Sequence, residues 1–392
     1  MTPASPTAPL VHGTTDEQFT AVRAQLAAVA AAEPGLRAQL AVRLHGRPVV
    51  DLWTGPDTTG DSLFALFSSG KGAAHLVVAL LVQDGTLDLD RPVALDWPEF
   101  AAHGKHDLTL RDLLAHRAGL LGTPEGFSTA DLADDHRLAS LLAPLPPAWP
   151  LGKGHYGYHA FTITALTGEL VRRVTGRTLQ QHYETRLRHP YDLDFHLGLP
   201  ATEEPRYLPV QRSRATAQQP APAPDSLTHL AFNLHADPAT DLTDFANTRQ
   251  VRSQGPGSSG SVGTARGLAK LYAATISEVD GRPALLAPET LKEFASPHTP
   301  GTDLITGEED HFLLGFEAQA VRHPALGPQA FGHSGAVGAN AFADPATGLA
   351  YSYTRARFTP DGRVPATEND SLITTLVRLS AALPDRPLPA AR

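Results

Sequence analysis

A chain of 392 residues with a formal charge of −9, 42% hydrophobic and 19% charged residues has the balance of a globular protein, long enough for one large domain or two interleaved ones. It contains no cysteine, which excludes disulfide frameworks, thiolate metal sites and a cysteine nucleophile. The acidic balance without any Lys/Arg run excludes a nucleic-acid footprint, Met1 to Thr15 lacks the basic-then-apolar order of a secretory signal, and the longest apolar run, Leu76 to Val82, is too short for a bilayer; a soluble, cytoplasmic protein without nucleic-acid or membrane partners is expected.

Residues 17–33 place Phe19, Val22, Leu26 and Val29 three and four apart, which predicts an amphipathic helix stopped at Pro34-Gly35. Leu36, Ala38, Leu40, Val42 and Leu44 then alternate with Arg37, Gln39 and Arg43, the pattern of a strand with one buried face. His45-Gly46-Arg47 turns the chain and Val49 to Trp53 returns as the second strand of a hairpin. Ser68 to Asp84 is different. Ala73, Ala74 and Leu76 to Val82 leave almost no polar face, so this helix is expected to be buried on most sides, with Gly85 at its C-terminus.

The middle of the chain reads as helix and loop. Thr109 to His116 carries capping-box spacing in Thr109 and Asp112, and Phe161 to Val174 is a second helix ended by Gly176. Between about 198 and 260 the composition (Gln218-Gln219-Pro220-Ala221-Pro222) predicts a long irregular connection of the kind that lines a cleft. Thr264 to Ile276 resumes as helix. The period of two returns at Phe312 to Ala318, Ala330 to His333, Ala339 to Ala343 and Leu349 to Thr354, with a hairpin loop at Asp344–Gly348. Leu372, Ile373, Leu376, Val377, Leu379 and Leu383 form a C-terminal amphipathic helix. The expected fold is α+β, an antiparallel sheet flanked by helices and built from both chain ends: residues 1–90 and 260–392 form the sheet domain, and 91–259 an all-helical or mostly helical insert.

Three segments carry chemistry. In Ser68-Ser69-Gly70-Lys71 the lysine lies one helical turn after the serine and can reach its hydroxyl. A serine hydroxyl needs such a base, and burial lowers an amine's pKa enough to make it one. The helix start also offers free N–H groups to a developing oxyanion. The plain alternative is an N-capping serine beside a solvated lysine, and the buried helix argues against it. Tyr156-Gly157-Tyr158-His159-Ala160 offers phenols that can relay a proton. Gly332-His333-Ser334-Gly335-Ala336-Val337-Gly338 places glycines in a strand, where a ligand or another backbone comes close.

Together with Leu87-Asp88-Leu89-Asp90-Arg91-Pro92, Leu113-Leu114-Ala115-His116-Arg117-Ala118-Gly119-Leu120 and Gly263-Thr264-Ala265-Arg266-Gly267-Leu268-Ala269, these segments follow an order and spacing that resembles the serine β-lactamase-like superfamily, nearest its family VIII carboxylesterases, over roughly residues 15 to 385. The resemblance implies a β-lactamase/transpeptidase-like fold and an acyl-enzyme on Ser68. Lys71 would deprotonate Ser68 and Tyr158 would shuttle the proton, with Tyr156 as its rival. The N–H groups of Ser68 and Ala336 would form the oxyanion hole, and His333, Ser334, Gly335 and Tyr156 would contact substrate. No metal or cofactor is needed.

The chain departs from β-lactamases in having Ala160 where their second motif ends in Asn and His333 where their third begins with Lys. Both departures favour a neutral small-molecule ester over a β-lactam or peptidoglycan. Hydrolysis is the first expectation. Acyl transfer to an alcohol or amine uses the same residues, and a non-catalytic binding role would not require Ser68, Lys71 and Tyr158 together. Gly332 to Ala336 nearly matches a nucleophile elbow, which would make Ser334 the nucleophile, but no His follows His333 as that fold requires. His155 with His159, and His103 with His106, read as loop or surface histidines among the 18 in the chain.

Overall fold

A computed structural model describes residues 10–214 and 222–382. Residues 1–9, most of Gln218–Pro222 and Leu383 lie outside the described residues. The elements that position the site are, in chain order, strand β1 (Val11–Thr15), helix α1 (Thr20–Ala32), the strands β2 (Ala38–Leu44) and β3 (Arg47–Thr54), the short β4 (Phe64–Ala65), helix α2 (Ser69–Gln83) and helix α3 (Leu110–Leu114). There follow β5 (Phe195–His196), β6 (Val262–Gly263), β7 (Glu317–Ala318), β8 (Phe331–Gly335), β9 (Ala339–Asp344) and β10 (Leu349–Arg355). Seven strands form one antiparallel sheet in the order β1-β3-β2-β10-β9-β8-β7. Its centre pairs Ala38 with Arg355 and Leu44 with Leu349, so the two chain ends meet there, as the pattern implied.

Alternation along these strands sorts side chains by size. Leu40, Val42, Phe342, Tyr351 and Tyr353 pack with Phe19, Val22 and Leu26 of α1 and with Leu372, Ile373 and Leu376 of the Glu368–Ala381 helix. The opposite face shows Ala41, Ala339, Ala341, Ala343 and Ala350, all buried. Small residues let α2 and the Ala265–Ile276 helix lie close against this side. The expected single buried face of β2 is therefore two buried faces. Gln39 is 3% exposed, its amide donating to the carbonyls of Thr59 (2.8 Å), Gly60 (3.3 Å) and Ser62 (2.9 Å) and accepting from the Ala265 N–H (2.9 Å).

His45 and Gly46 take φ of 48° and 79°, the left-handed pair of a tight hairpin turn. Thr109 and Asp112 form the expected capping box on α3. Gly176, at φ 73°, ends the Ile163–Thr175 helix. Four expectations change. β1 pairs with the outer edge of β3 where no strand was expected. The strand expected over Phe312–Ala318 shrinks to β7, because Gly315 turns the chain at φ 77° against the His75 ring. The 198–260 connection holds short helices at Leu227–Ala231, Leu242–Asn247 and Arg249–Gln254. The middle of the chain also contributes β5, which joins β6 and β4 in a three-stranded sheet, so it is not wholly helical. Among the described residues no helix is long and apolar enough to cross a membrane.

Candidate active site

β4 leads straight into α2 through a strained corner. Phe67 sits at φ 46°, a left-handed conformation that costs a non-glycine residue about 1–2 kcal/mol. The surroundings over-determine it. Ser69 N–H donates to Leu66 O and Gly70 N–H to Phe67 O, each at 3.0 Å. From the 255–261 loop, the Ser261 hydroxyl donates to Phe67 O (3.0 Å) and Ser261 O accepts from Leu66 N–H (3.0 Å). The corner leaves Ser68 half-buried at the N-cap of α2. Close approach explains two glycines beside it. A Cβ on Gly70 would lie 2.6 Å from Ser261 Oγ, and one on Gly72 would lie 2.0 Å from the Tyr272 hydroxyl.

Two polar groups converge on Ser68 Oγ. Lys71 Nζ lies 3.0 Å from it and the Tyr158 hydroxyl donates to it at 2.7 Å. Lys71 is fully buried, and its Nζ also donates to the carbonyls of Ala160 and Ser258, each at 2.7 Å. Burial holds this amine well below its ordinary value, against the opposing pull of the Glu317 and Asp135 carboxylates. A neutral amine gives two N–H bonds to the two carbonyls and keeps one lone pair for the serine hydroxyl. Burial raises Tyr158 above its ordinary value, and the Ser68 bond only partly offsets this, so the phenol keeps its proton at rest. The arrangement can take a proton from Ser68 at one side and deliver one from the other.

The lowered amine has a consequence for stability. Around neutral pH the unfolded chain protonates this lysine more fully than the folded chain does, so stability rises with pH up to the free amine's value of about 10.4. Between about pH 7 and pH 9 the wild type should gain stability relative to Lys71→Met, measured by urea unfolding. A difference that is flat or falls with pH would contradict a lowered Lys71.

β8 ends directly on the Ser68 corner. A Cβ on Gly335 would meet Leu66 O at 2.4 Å and Ser69 Oγ at 3.0 Å. The turn after it closes with Gly338 N–H on Gly335 O (2.8 Å), and among the described residues the N–H groups of Ser68 and Ala336 donate to no backbone carbonyl. His333 is fully buried, and burial lowers it to about 4 against the pull of Glu317, so the ring is neutral at pH 7.

Two residues expected at the substrate are placed otherwise. The Tyr156 hydroxyl donates to Gly301 O (2.5 Å) rather than to Ser68, because its ring is turned into the 299–312 loop beside Phe312. The Ser334 hydroxyl donates to Glu317 Oε1 (2.7 Å) and faces the protein interior. Other groups that build the site had no signature in the sequence. Ala160 and Ser258 act through backbone carbonyls. Asp303 Oδ1 accepts from Tyr158 N–H (3.3 Å) and Ile305 N–H (2.7 Å), and so holds the tyrosine's backbone. Phe358 lies 5.6 Å from Phe67 and Phe232 lies 6.4 Å from Tyr158. Both are half-buried.

Comparison with known proteins shows the family. The Beta-lactamase family model matches residues 23–374. A Mycobacterium tuberculosis protein named esterase/beta-lactamase LipL is 31% identical over 371 residues, covering 88% of this chain and 83% of that protein. Among solved structures, EstA from Arthrobacter nitroguajacolicus Rue61a superposes with a TM-score of 0.87 at 36% identity, over 94% of this chain and 98% of that one. A family VIII carboxylesterase superposes at 0.83 with 30% identity, over 94% and 100%. With a family model spanning most of its length, the chain belongs to the beta-lactamase family and is a serine hydrolase.

Proposed function

We propose that this protein is a carboxylesterase that acylates Ser68 with a neutral small-molecule ester and passes the acyl group to water. The observation that carries the reading is Ser68 Oγ held between Lys71 Nζ at 3.0 Å and the Tyr158 hydroxyl at 2.7 Å. Ser68 attacks the ester carbonyl as its proton passes to the neutral amine of Lys71. The Ser68 and Ala336 N–H groups receive the negative charge on the carbonyl oxygen. Collapse of the intermediate expels the alcohol, which takes its proton from Tyr158, and the Lys71 ammonium restores that proton. Water then attacks the acyl-enzyme by the same path in reverse. Residues 1–90 with 260–392 supply Ser68, Lys71 and His333 to this cleft, and 91–259 supply Tyr158.

The names of LipL, EstA and the family VIII carboxylesterase support an ester substrate. So do the neutral His333 and the apolar Ala160, which offer a substrate carboxylate neither a cation nor an amide. Acyl transfer to an alcohol or amine uses the same groups and is decided by what enters the cleft at deacylation. A fluorophosphonate should label Ser68, mapped by mass spectrometry, and a panel of p-nitrophenyl esters should be cleaved much faster than a chromogenic cephalosporin. An adduct elsewhere overturns the mechanism, and the opposite substrate ranking overturns the substrate class. Product that partitions to added alcohol turns the reading to acyl transfer. Tyr158→Phe should lower kcat by about 10²–10⁴, whereas Tyr156→Phe, whose hydroxyl bonds only the loop, should leave kcat within about threefold.

A further inference from the structure

The reaction above makes no use of a buried carboxylate behind the third motif. Glu317 is 3% exposed. It accepts from the Ser334 N–H (3.0 Å), the Ser334 hydroxyl (2.7 Å), Gln319 Nε2 (3.2 Å) and Arg322 Nη1 (3.0 Å). Arg322 is itself held by Glu308 at 2.7 and 2.8 Å. Burial disfavours the charge on Glu317, but the Arg322 guanidinium beside it and the hydrogen bonds it accepts hold its carboxyl well below the ordinary range, so it is ionised.

Glu317 Oε1 also lies 3.2 Å from His333 Nδ1, and the Ser334 carbonyl oxygen lies 2.9 Å from the same nitrogen. Both neighbours are acceptors. A ring nitrogen that faces two acceptors must carry a hydrogen, and a neutral imidazole carries only one. His333 Nε2 is therefore a bare lone pair. It is buried and, among the described residues, without a partner. Its ring lies 6.0 Å from that of Tyr158, whose hydroxyl touches Ser68 Oγ. An unpaired polar atom in such a place costs free energy unless something meets it. The Ser334 hydroxyl is already given to Glu317 and is not free to meet an anion.

We propose that Glu317 is a positioning residue that fixes His333 as its Nδ1–H tautomer, so that His333 Nε2 accepts a hydrogen bond from the bound ester and the enzyme favours acyl groups with a hydroxyl or N–H donor over those with a carboxylate. The substrate preference rests on the Ser68 esterase reading. The tautomer does not.

The test has two arms. Side-chain ¹⁵N NMR of the native protein, with His333 assigned by its loss in His333→Phe, should show Nδ1 protonated and Nε2 bare. A protonated Nε2 overturns the proposal whatever the enzyme hydrolyses. The second arm compares kcat/KM for p-nitrophenyl butyrate, 3-hydroxybutyrate and hemisuccinate. The hydroxylated ester should exceed the plain one by about five- to tenfold, the worth of one neutral hydrogen bond, with the hemisuccinate poorest. That preference should collapse toward unity in Glu317→Gln and in His333→Phe, mainly through KM. No hydroxyl preference in the native enzyme, or one that survives in His333→Phe, overturns the proposal. Should Glu317→Gln fail to fold, the native tautomer and His333→Phe still decide. Failure of the esterase reading would appear separately, as absence of a fluorophosphonate adduct on Ser68.

Discussion

Ser68→Ala is expected to lower kcat/KM for p-nitrophenyl esters by on the order of 10⁴-fold or more while leaving the folded protein intact. The reason is local. Among the described residues the Ser68 hydroxyl meets only Lys71 Nζ and the Tyr158 hydroxyl, so its loss removes the attacking atom without unpairing a backbone group. Lys71→Ala should fall by a similar factor, since a serine without its base is no better than a solvated alcohol. The double variant should be little worse than either single one, because the two groups act as a unit. Steady-state kinetics on the three variants, with circular dichroism to confirm folding, checks this. Additive losses, or a Ser68→Ala enzyme within tenfold of wild type, would remove Ser68 from the chemistry.

The second large effect falls on a residue with no functional group. A Cβ on Gly332 would lie 2.1 Å from Ala341 O and 2.6 Å from Phe342 Cα, both backbone atoms of the neighbouring strand. Gly332→Val can be relieved only by moving β8 away from β9, so it should cost about 3 kcal/mol of stability. Activity should fall further than stability explains, on the order of 10²-fold, because β8 carries His333 and Ala336 to the Ser68 corner. Gly168 provides the contrast. It lies inside the Ile163–Thr175 helix, where a Cβ would meet Leu179 atoms at 3.7–3.8 Å, an ordinary contact. Gly168→Ala should therefore stabilise by about 0.5–1 kcal/mol with unchanged kcat/KM. Urea unfolding of the two variants tests the pair, and an equal effect of the same sign would reject the packing argument.

What could be read from the chain and what could not divides along physical lines. Features set by short-range rules were legible. The helix from Ser68 announced itself by lacking a polar face, Thr109 and Asp112 by capping-box spacing, and the β9–β10 hairpin by alternation around Asp344–Gly348. Ser68 and Lys71 were legible because a helix brings residues three apart together. Tyr158 needed the resemblance, since nothing local ties it to a serine 90 positions earlier. Backbone acceptors were beyond reach: any residue type at 160 or 258 can offer a carbonyl to Lys71. Gln39 was misread as a solvent-facing strand position because an amide can satisfy itself indoors when loop carbonyls surround it. Glu317 fell inside the expected strand Phe312 to Ala318 with nothing to mark it for a role. Its burial depends on Arg322 and on Ser334, which the chain delivers from a different strand.

The joining of both chain ends at the middle of the sheet bears on how the protein is made. Arg355 at the end of β10 pairs with Glu33 ahead of β2, across 322 positions of sequence. During synthesis at 5–20 residues/s, the β2–β3 hairpin must wait roughly 15–60 s for its partner to be translated. Throughout that interval the β2 edge, with Leu40 and Val42 on one face and Ala41 on the other, stands open to other chains. Such a sheet cannot close from its N-terminus, so the β2–β3 hairpin meets its central partner only after β10 is translated.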